Sequence, residues 1–319
     1  MYGFALILIF VLSLPALAHF PQNTTFKIFQ FPDSHVPQMD GDAADWSMVP
    51  DEYFYDSSHH RGMVFADSID SDGKKSRLLV PDTLATPDPA DLDIRRTAVG
   101  WNATQNRLYF LTEVYDDIWR FQKDAVDSLD TINGRLRAGF VHGSDIWEIV
   151  IDADHGGEKV VNFADWQEAP HVELRHRSAY TQNYHLYIPP LNGYYWHWLW
   201  GKALWTKDEA YSAMGWQGDV EHLSSGTVTY ETYLTPFDDL HPEGPHLSRK
   251  HRLKEGAVIG LSWAYLDADD SDTRFDDFWM HSHHPKMYCS AEYISDFKLM
   301  PIEEGLFKDK EANIERSVD

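Results

Sequence analysis

The sequence predicts an all-β protein, a two-sheet antiparallel sandwich of jelly-roll type with long loops. Three observations carry that prediction. Apolar and aromatic residues recur with a period of two along several stretches, clusters of Gly, Pro, Asn and Asp bound those stretches, and no helical pattern of comparable length separates them. A chain of 319 residues with 43% hydrophobic and 14% aromatic residues can bury a large core as a single domain.

In chain order, residues 1–18 stand apart from the fold. They form an apolar run ending in Ala16-Leu17-Ala18, the small-x-small pattern of a signal-peptidase site, so His19 is expected to begin the mature chain. Pro15 and the Ala-x-Ala ending favour cleavage over retention as a membrane anchor, and no cysteine follows the site to take a lipid. An exported protein, secreted or periplasmic, is expected. One domain should then span 19–305, followed by a charged tail over 306–319.

The strands follow from alternation. Residues 107–115 set Leu108, Phe110, Thr112 and Val114 on one face, and 145–152 set Trp147, Ile149 and Ile151 on one face with Glu148 on the other. Residues 182–188 alternate Tyr184, Leu186 and Ile188 against Asn183, His185 and Tyr187. Stretches 227–234, 257–266 and 291–299 read the same way, being rich in β-branched and aromatic residues. Three long connections, 57–95, 155–181 and 237–255, read as binding loops, because long loops in a compact domain usually carry function.

Charge narrows the partners. With 51 Asp and Glu against 27 Lys and Arg, the net charge is −24, which excludes nucleic acid and anionic membrane surfaces and suits neutral ligands or cations. Cys289 is the one cysteine, so no intramolecular disulfide forms.

Five phrases occur in a particular order. They are Asp40-Gly41 with Asp45-Trp46; Val99-Gly100-Trp101 followed by Leu108-Tyr109 through Asp116-Asp117; Asp145 through Asp152 (DIWEIVID); Tyr230-Glu231-Thr232 with Leu234-Thr235-Pro236; and Gly256 through Gly260. This order resembles the family 9 carbohydrate-binding modules and covers roughly residues 36–300. The resemblance implies a sandwich of two antiparallel sheets, a polysaccharide or oligosaccharide ligand, and an accessory role beside a glycoside hydrolase in carbohydrate catabolism.

Sugars stack their C–H faces on aromatic rings while polar groups pair with the hydroxyls. The resemblance implies an aromatic wall just before the DIWEIVID phrase, where His142 stands instead of Trp, and another near the last strand, where Trp279 stands. It also implies polar contacts at Glu148, His185 and Tyr187, which strand alternation turns away from the aliphatic faces; a solvated carboxylate and rim hydrogen bonds are the alternatives. Residues 194–200 (YYWHWLW) add a further row: read as a strand, Trp196, Trp198 and Trp200 recur at steps of roughly 6.6 Å, comparable to a sugar ring. Either these rings fill the core or, with Trp205, Tyr211 and Trp216, some of them meet the ligand.

Alternating carboxylates at Asp152 and Asp154, and again over 267–272, offer hard oxygen ligands for Ca²⁺, although the EF-hand pattern is not met. Structural calcium is also implied by the resemblance. The histidines at 281, 283 and 284 suggest a transition metal or, in the commoner case, a polar surface loop. Two rival functions remain. A polysaccharide lyase or hydrolase on the same sandwich would use His142, His185 and Tyr187 as acid and base. A haem-binding electron-transfer domain would take axial ligands from Met280, Met287 or a neighbouring histidine.

Overall fold

The computed structural model describes residues 19–69, 75–120, 143–158, 160, 178–187, 197–199, 203–269, 275–303 and 305–306. Sixteen strands occur among these: β1 (Thr25–Gln30), β2 (Phe54–Tyr55), β3 (Arg61–Ile69), β4 (Lys75–Ala85), β5 (Leu92–Asn102), β6 (Arg107–Trp119), β7 (Ile146–Asp152), β8 (Gln182–Tyr187), β9 (His197–Leu199), β10 (Ser212–Gln217), β11 (Ser224–Leu234), β12 (Phe237–Asp239), β13 (Arg249–Lys250), β14 (Val258–Asp267), β15 (Asp277–Met280) and β16 (Ser295–Leu299). Fourteen join in one hydrogen-bonded network and β12 pairs β13 separately. The remaining regular elements are mainly short 3-10 turns.

The network is mixed rather than purely antiparallel, and β1 is the reason. Residues 25–28 run parallel to β16, and Phe29 and Gln30 then run parallel to β5. One short strand thus passes from one arm of the network, β10-β11-β6-β5, to the other, β16-β14-β15-β3-β4, with β7-β8-β9 branching from β14. Alternation specifies which face a side chain takes, but not the direction of a neighbouring strand.

Side chains from the two arms meet in the largest apolar cluster. Trp147 on β7 lies edge-on to Phe110 of β6 at 6.2 Å and to Tyr230 of β11 at 6.0 Å. The Tyr265 hydroxyl of β14 bonds to Thr97 Oγ1 on β5 at 2.6 Å and to Thr112 Oγ1 on β6 at 2.5 Å. The predicted inward faces hold: Leu108, Phe110, Val114, Trp147, Ile149, Ile151, Tyr184 and Leu186 all belong to this cluster. The opposite faces are covered as well. Tyr109 and Leu111 of β6 pack with Phe29, Phe31, Trp46 and Tyr53, and Ile146 and Val150 of β7 pack with Met287, Ala291 and Ile294. Burial on both faces explains the unbroken burial of β7, where sequence alternation predicts one solvated side.

Two readings of the connections change. Residues 57–95 contain the β3–β4 hairpin, which adds to the network through Trp279↔Gly62. Residues Ala291–Tyr293 form a 3-10 turn, and the last strand begins at Ser295.

The motif phrases do structural work. Gly41 N–H and Trp46 Nε1–H donate to the two oxygens of Glu231, at 2.8 and 2.7 Å, so the first phrase is tied to the fourth. Gly41 has φ +80°, and a Cβ there would meet the Trp216 backbone at 2.3 Å, so only glycine fits. Trp101 Nε1–H donates to Met300 O at 3.0 Å.

Candidate functional site

Three places carry polar chemistry in the interior or at its rim. The first is the far face of β7 and β8. Glu148 lies opposite His185 in the ladder and is 1% exposed. Asn183 Nδ2 donates to Glu148 Oε1 at 2.6 Å and to Tyr288 O at 3.0 Å, and His185 Nε2 stands 3.7 Å from the same Glu148 oxygen. Burial pushes the Glu148 carboxyl up to about 7, against the Asn183 hydrogen bond. Alternation did turn Glu148 and His185 away from Trp147 and Leu186, but the turns at 285–293 lie over that face. Neither residue is a solvated carboxylate or an open rim contact; His185 is 3% exposed. Tyr187, at the end of β8, is half-buried against the same apolar group. Trp279 is 5% exposed in the main core, its ring so close to Gly62 that a Cβ there would meet it at 2.2 Å. Trp198 stands opposite His185 in the β8–β9 pairing, whereas His142 and Trp196 lie outside the described residues.

The second place is the aromatic segment after β9. Trp205, Tyr211 and Trp216 are half-buried, packed against the main core without being enclosed by it. Trp205 and Tyr211 meet edge-to-face at 4.8 Å, Trp205 Nε1–H donates to His241 O at 2.9 Å, and Lys250 Nζ sits 4.8 Å above the Tyr211 ring. β10, which carries Trp216 and directly follows Tyr211, ends the strand order, so Trp216 lies at an edge.

The third place is acidic. Asp91, Asp116, Asp117, Asp145, Asp267 and Asp269 form overlapping groups of three whose carboxylate oxygens lie within 4.8 Å of one another. Asp116, Asp145 and Asp267 are at most 4% exposed. Some oxygens are satisfied: Asp145 accepts from Ala268 N at 3.0 Å and from Arg120 N, and Asp116 Oδ1 accepts from Ile118 N at 2.8 Å. Others are buried with no donor among the described residues, namely Asp116 Oδ2, Asp117 Oδ1, Asp267 Oδ1 and Asp269 Oδ1. The nearby Arg120 guanidinium donates to the carbonyls of Ala268 and Asp269 instead. Burial first, and then mutual repulsion, pushes Asp269 up to about 8 and holds Asp145 and Asp267 well above the usual carboxylate range. Burial also pushes Asp116 up to about 7. Orphaned anionic oxygens that face each other are costly unless protonated or shared by a cation, so this all-oxygen set fits a divalent metal ion.

The predicted pair Asp152 and Asp154 does come together with Glu158. However, both oxygens of Asp152 accept from the turn, from Gly156 N at 3.2 Å and Gly157 N at 2.9 Å. Of the larger cluster, sequence reading singled out only the 267–272 run. Asp116 and Asp145 were visible as members of the phrases, but nothing along the chain signals that β6 and β14 end beside each other.

The other candidates separate. His281 is buried and stacked on Trp263 at 4.2 Å, His283 Nε2 faces His59 O at 3.0 Å, and His284 stacks on Tyr293 at 3.9 Å. They do not converge on a metal. Met280 and Met287, the proposed axial ligands, are fully enclosed by apolar neighbours. No helix among the described residues is long and apolar enough to cross a membrane.

Comparison with known proteins returns structures only. No family model matches the chain, and no curated protein matches it. The chain is similar to solved family 9 carbohydrate-binding modules. One, from Caldicellulosiruptor kristjanssonii in complex with cellotriose, is 12% identical over 88% of this chain and 96% of that chain, with a TM-score of 0.43. Another from the same organism, in complex with glucose, is 13% identical over 88% of this chain and 98% of that one, also with a TM-score of 0.43.

Proposed function

We propose that this chain is an exported carbohydrate-binding protein, a calcium-stabilised β-sandwich that works beside polysaccharide-degrading enzymes. The observation that carries the binding reading is the group of half-buried rings at Trp205, Tyr211 and Trp216. The core encloses most large aromatics of the described strands, yet it leaves these three half-buried, so that part of each ring can meet a sugar. The ordered phrases of the sequence support the same reading. Glu148 and His185, on the opposite face of β7 and β8, hold those strands to the 285–293 turns.

The calcium reading rests on the orphaned oxygens of the Asp116, Asp267 and Asp269 cluster, with Asp145 and Asp91 completing an all-oxygen set. The ion's role is structural: it would neutralise carboxylates contributed by both arms of the network.

Glycan-array screening followed by calorimetry tests the binding reading. Trp205→Ala should weaken the selected glycan by about 1–3 kcal/mol with the fold retained, the cost of truncating an aromatic that a ligand covers. Wild-type affinity in Trp205→Ala, Tyr211→Ala and Trp216→Ala alike would remove these rings from the site. A reducing-end assay on the same glycans distinguishes binding from hydrolysis.

A further inference from the structure

Outside the acidic cluster, one group of side chains brings nitrogen and oxygen donors together. His19, His155 and Asp296 place one ligand atom each within 4.8 Å of one another. They come from three separate parts of the chain: the first described residue, the turn after β7, and the second residue of β16. The His19 and His155 rings lie 4.2 Å apart, tilted by 45°. His155 Nε2 stands 3.0 Å from Asp296 Oδ1, and His19 Nδ1 lies against the same oxygen. That His19 nitrogen is buried.

The group is held in place. Phe20 N–H donates to Ile294 O at 3.0 Å, and the Phe20 ring packs on His284 at 4.7 Å and Tyr293 at 5.8 Å. The residue next to His19 is therefore pinned beside the start of β16. The His19 side chain is 8% exposed, while Asp296 and His155 are 30% and 35% exposed, so an ion can reach the group from solvent.

The decisive point is which nitrogen faces the group, and which bond the signal peptidase is expected to cut. Cleavage after Ala18 would leave His19 with a free α-amine. An N-terminal histidine can chelate a metal through that amine and its own Nδ1, because the two are linked through Cα, Cβ and Cγ in a small ring; Nε2 is too distant to close it. Nδ1 is the atom aimed at Asp296. Pro21 has no backbone N–H, so the third residue cannot supply a deprotonated amide, and the further donors must come from elsewhere in the fold. His155 and Asp296 are in position to supply them. A set of imidazole, amine and carboxylate donors suits the tetragonal N,O preference of Cu(II), which also heads the affinity order of the divalent first-row ions.

We propose that His19, freed as the N-terminal residue, forms with His155 and Asp296 a binding site for one Cu(II) ion. The site is distinct from the acidic cluster, whose all-oxygen ligands suit a hard cation, and it does not depend on the sugar-binding reading.

The test uses exported full-length mature protein whose N-terminus has been read by intact mass. The protein is stripped of metal, returned to calcium buffer so that the acidic cluster is occupied, and titrated with copper chloride. Calorimetry and electron paramagnetic resonance should report one Cu(II) per chain with nitrogen hyperfine coupling. Two altered forms separate the donors from the fold: His155→Asn, which keeps a residue tolerant of the positive φ of 57° there, and a chain acetylated on the His19 α-amine, which blocks the chelate and alters no residue of the fold. Each should weaken copper binding by about tenfold or more, with the metal-free melting curve unchanged. Wild-type affinity in either variant would overturn the proposal, as would a mature chain that begins elsewhere than at His19, or preferential binding of zinc over copper.

Discussion

Two buried carboxylate sites in this protein differ in one respect, and that difference separates structure from function. Glu231 is fully buried, and its two oxygens each accept a hydrogen bond from a donor on the Gly41–Trp46 turn. Asp116 and Asp267 are as deeply buried, yet each keeps an oxygen with no donor among the described residues, turned toward other carboxylates. A buried carboxylate with donors is a staple between segments. A group of them without such donors could hold a cation, because leaving each charge unpaired costs several kcal/mol.

The largest expected effect breaks this comparison at its acidic end. Removing divalent cations with a chelator should lower stability by about 3–4 kcal/mol, the mass-action contribution of an ion present some hundred- to thousandfold above its Kd, and readdition of calcium should restore it. Identical melting curves with and without chelator would make the cluster a protonated structural feature instead.

Next comes the staple. Glu231→Ala leaves the Gly41 and Trp46 donors buried without acceptors and should cost about 2–3 kcal/mol in a denaturant titration, equally with and without calcium. Glu231→Gln should cost less, because its amide oxygen still accepts one of the two bonds.

pH sharpens the contrast further. Asp116, pushed up to about 7 from 3.8, and Asp269, up to about 8, hold protons in the cation-free fold that the unfolded chain releases. Their contribution is complete below about pH 4 and is lost as pH rises through 7 to 8. Between pH 6.5 and 8 the chelated protein should therefore lose stability relative to the calcium form. Glu148 and Glu231, also raised to about 7, contribute to both curves alike, so the difference between them isolates the cluster. Below pH 6.5 two histidines work against the carboxylates. Burial lowers His60 to about 3 and His281 well below 6.5, so both stay neutral in the fold while the unfolded chain protonates. Each should cost up to about 1.4 kcal/mol per pH unit until its folded pKa is reached. Melting temperatures followed from pH 7 to pH 4 measure this.

The smallest effect concerns Asp154. It is exposed, and its partner Asp152 is already engaged by the Gly156 and Gly157 amides. Asp154→Asn should change stability by less than about 0.5 kcal/mol, with calcium or without. A loss comparable to that of Asp267→Asn would move the ion to the turn after β7.

The sequence alone determined the strand phases, because a pleated strand gives neighbouring residues opposite faces: Trp147, Ile149, Tyr184 and Leu186 point inward as alternation requires. It also showed the charge balance and the small-x-small pattern that sets His19 beside the expected cleavage. The mixed character of the network was not legible, since the direction of β1 against β16 and β5 depends on partners distant in the chain. The exposure of Glu148 and Trp279 was also hidden, because period two names a face without saying what covers it. The covers are the 285–293 turns over Glu148 and the β3 strand beside Trp279. The meeting of Asp91, Asp116, Asp145 and Asp267 was decided by tertiary structure alone, as was that of His19, His155 and Asp296. The acidic set brings Asp116 of β6 beside Asp267 of β14 through the packing of the two arms, whereas β7 and β16 both pair with β14, which sets the His155 turn beside Asp296 within one arm.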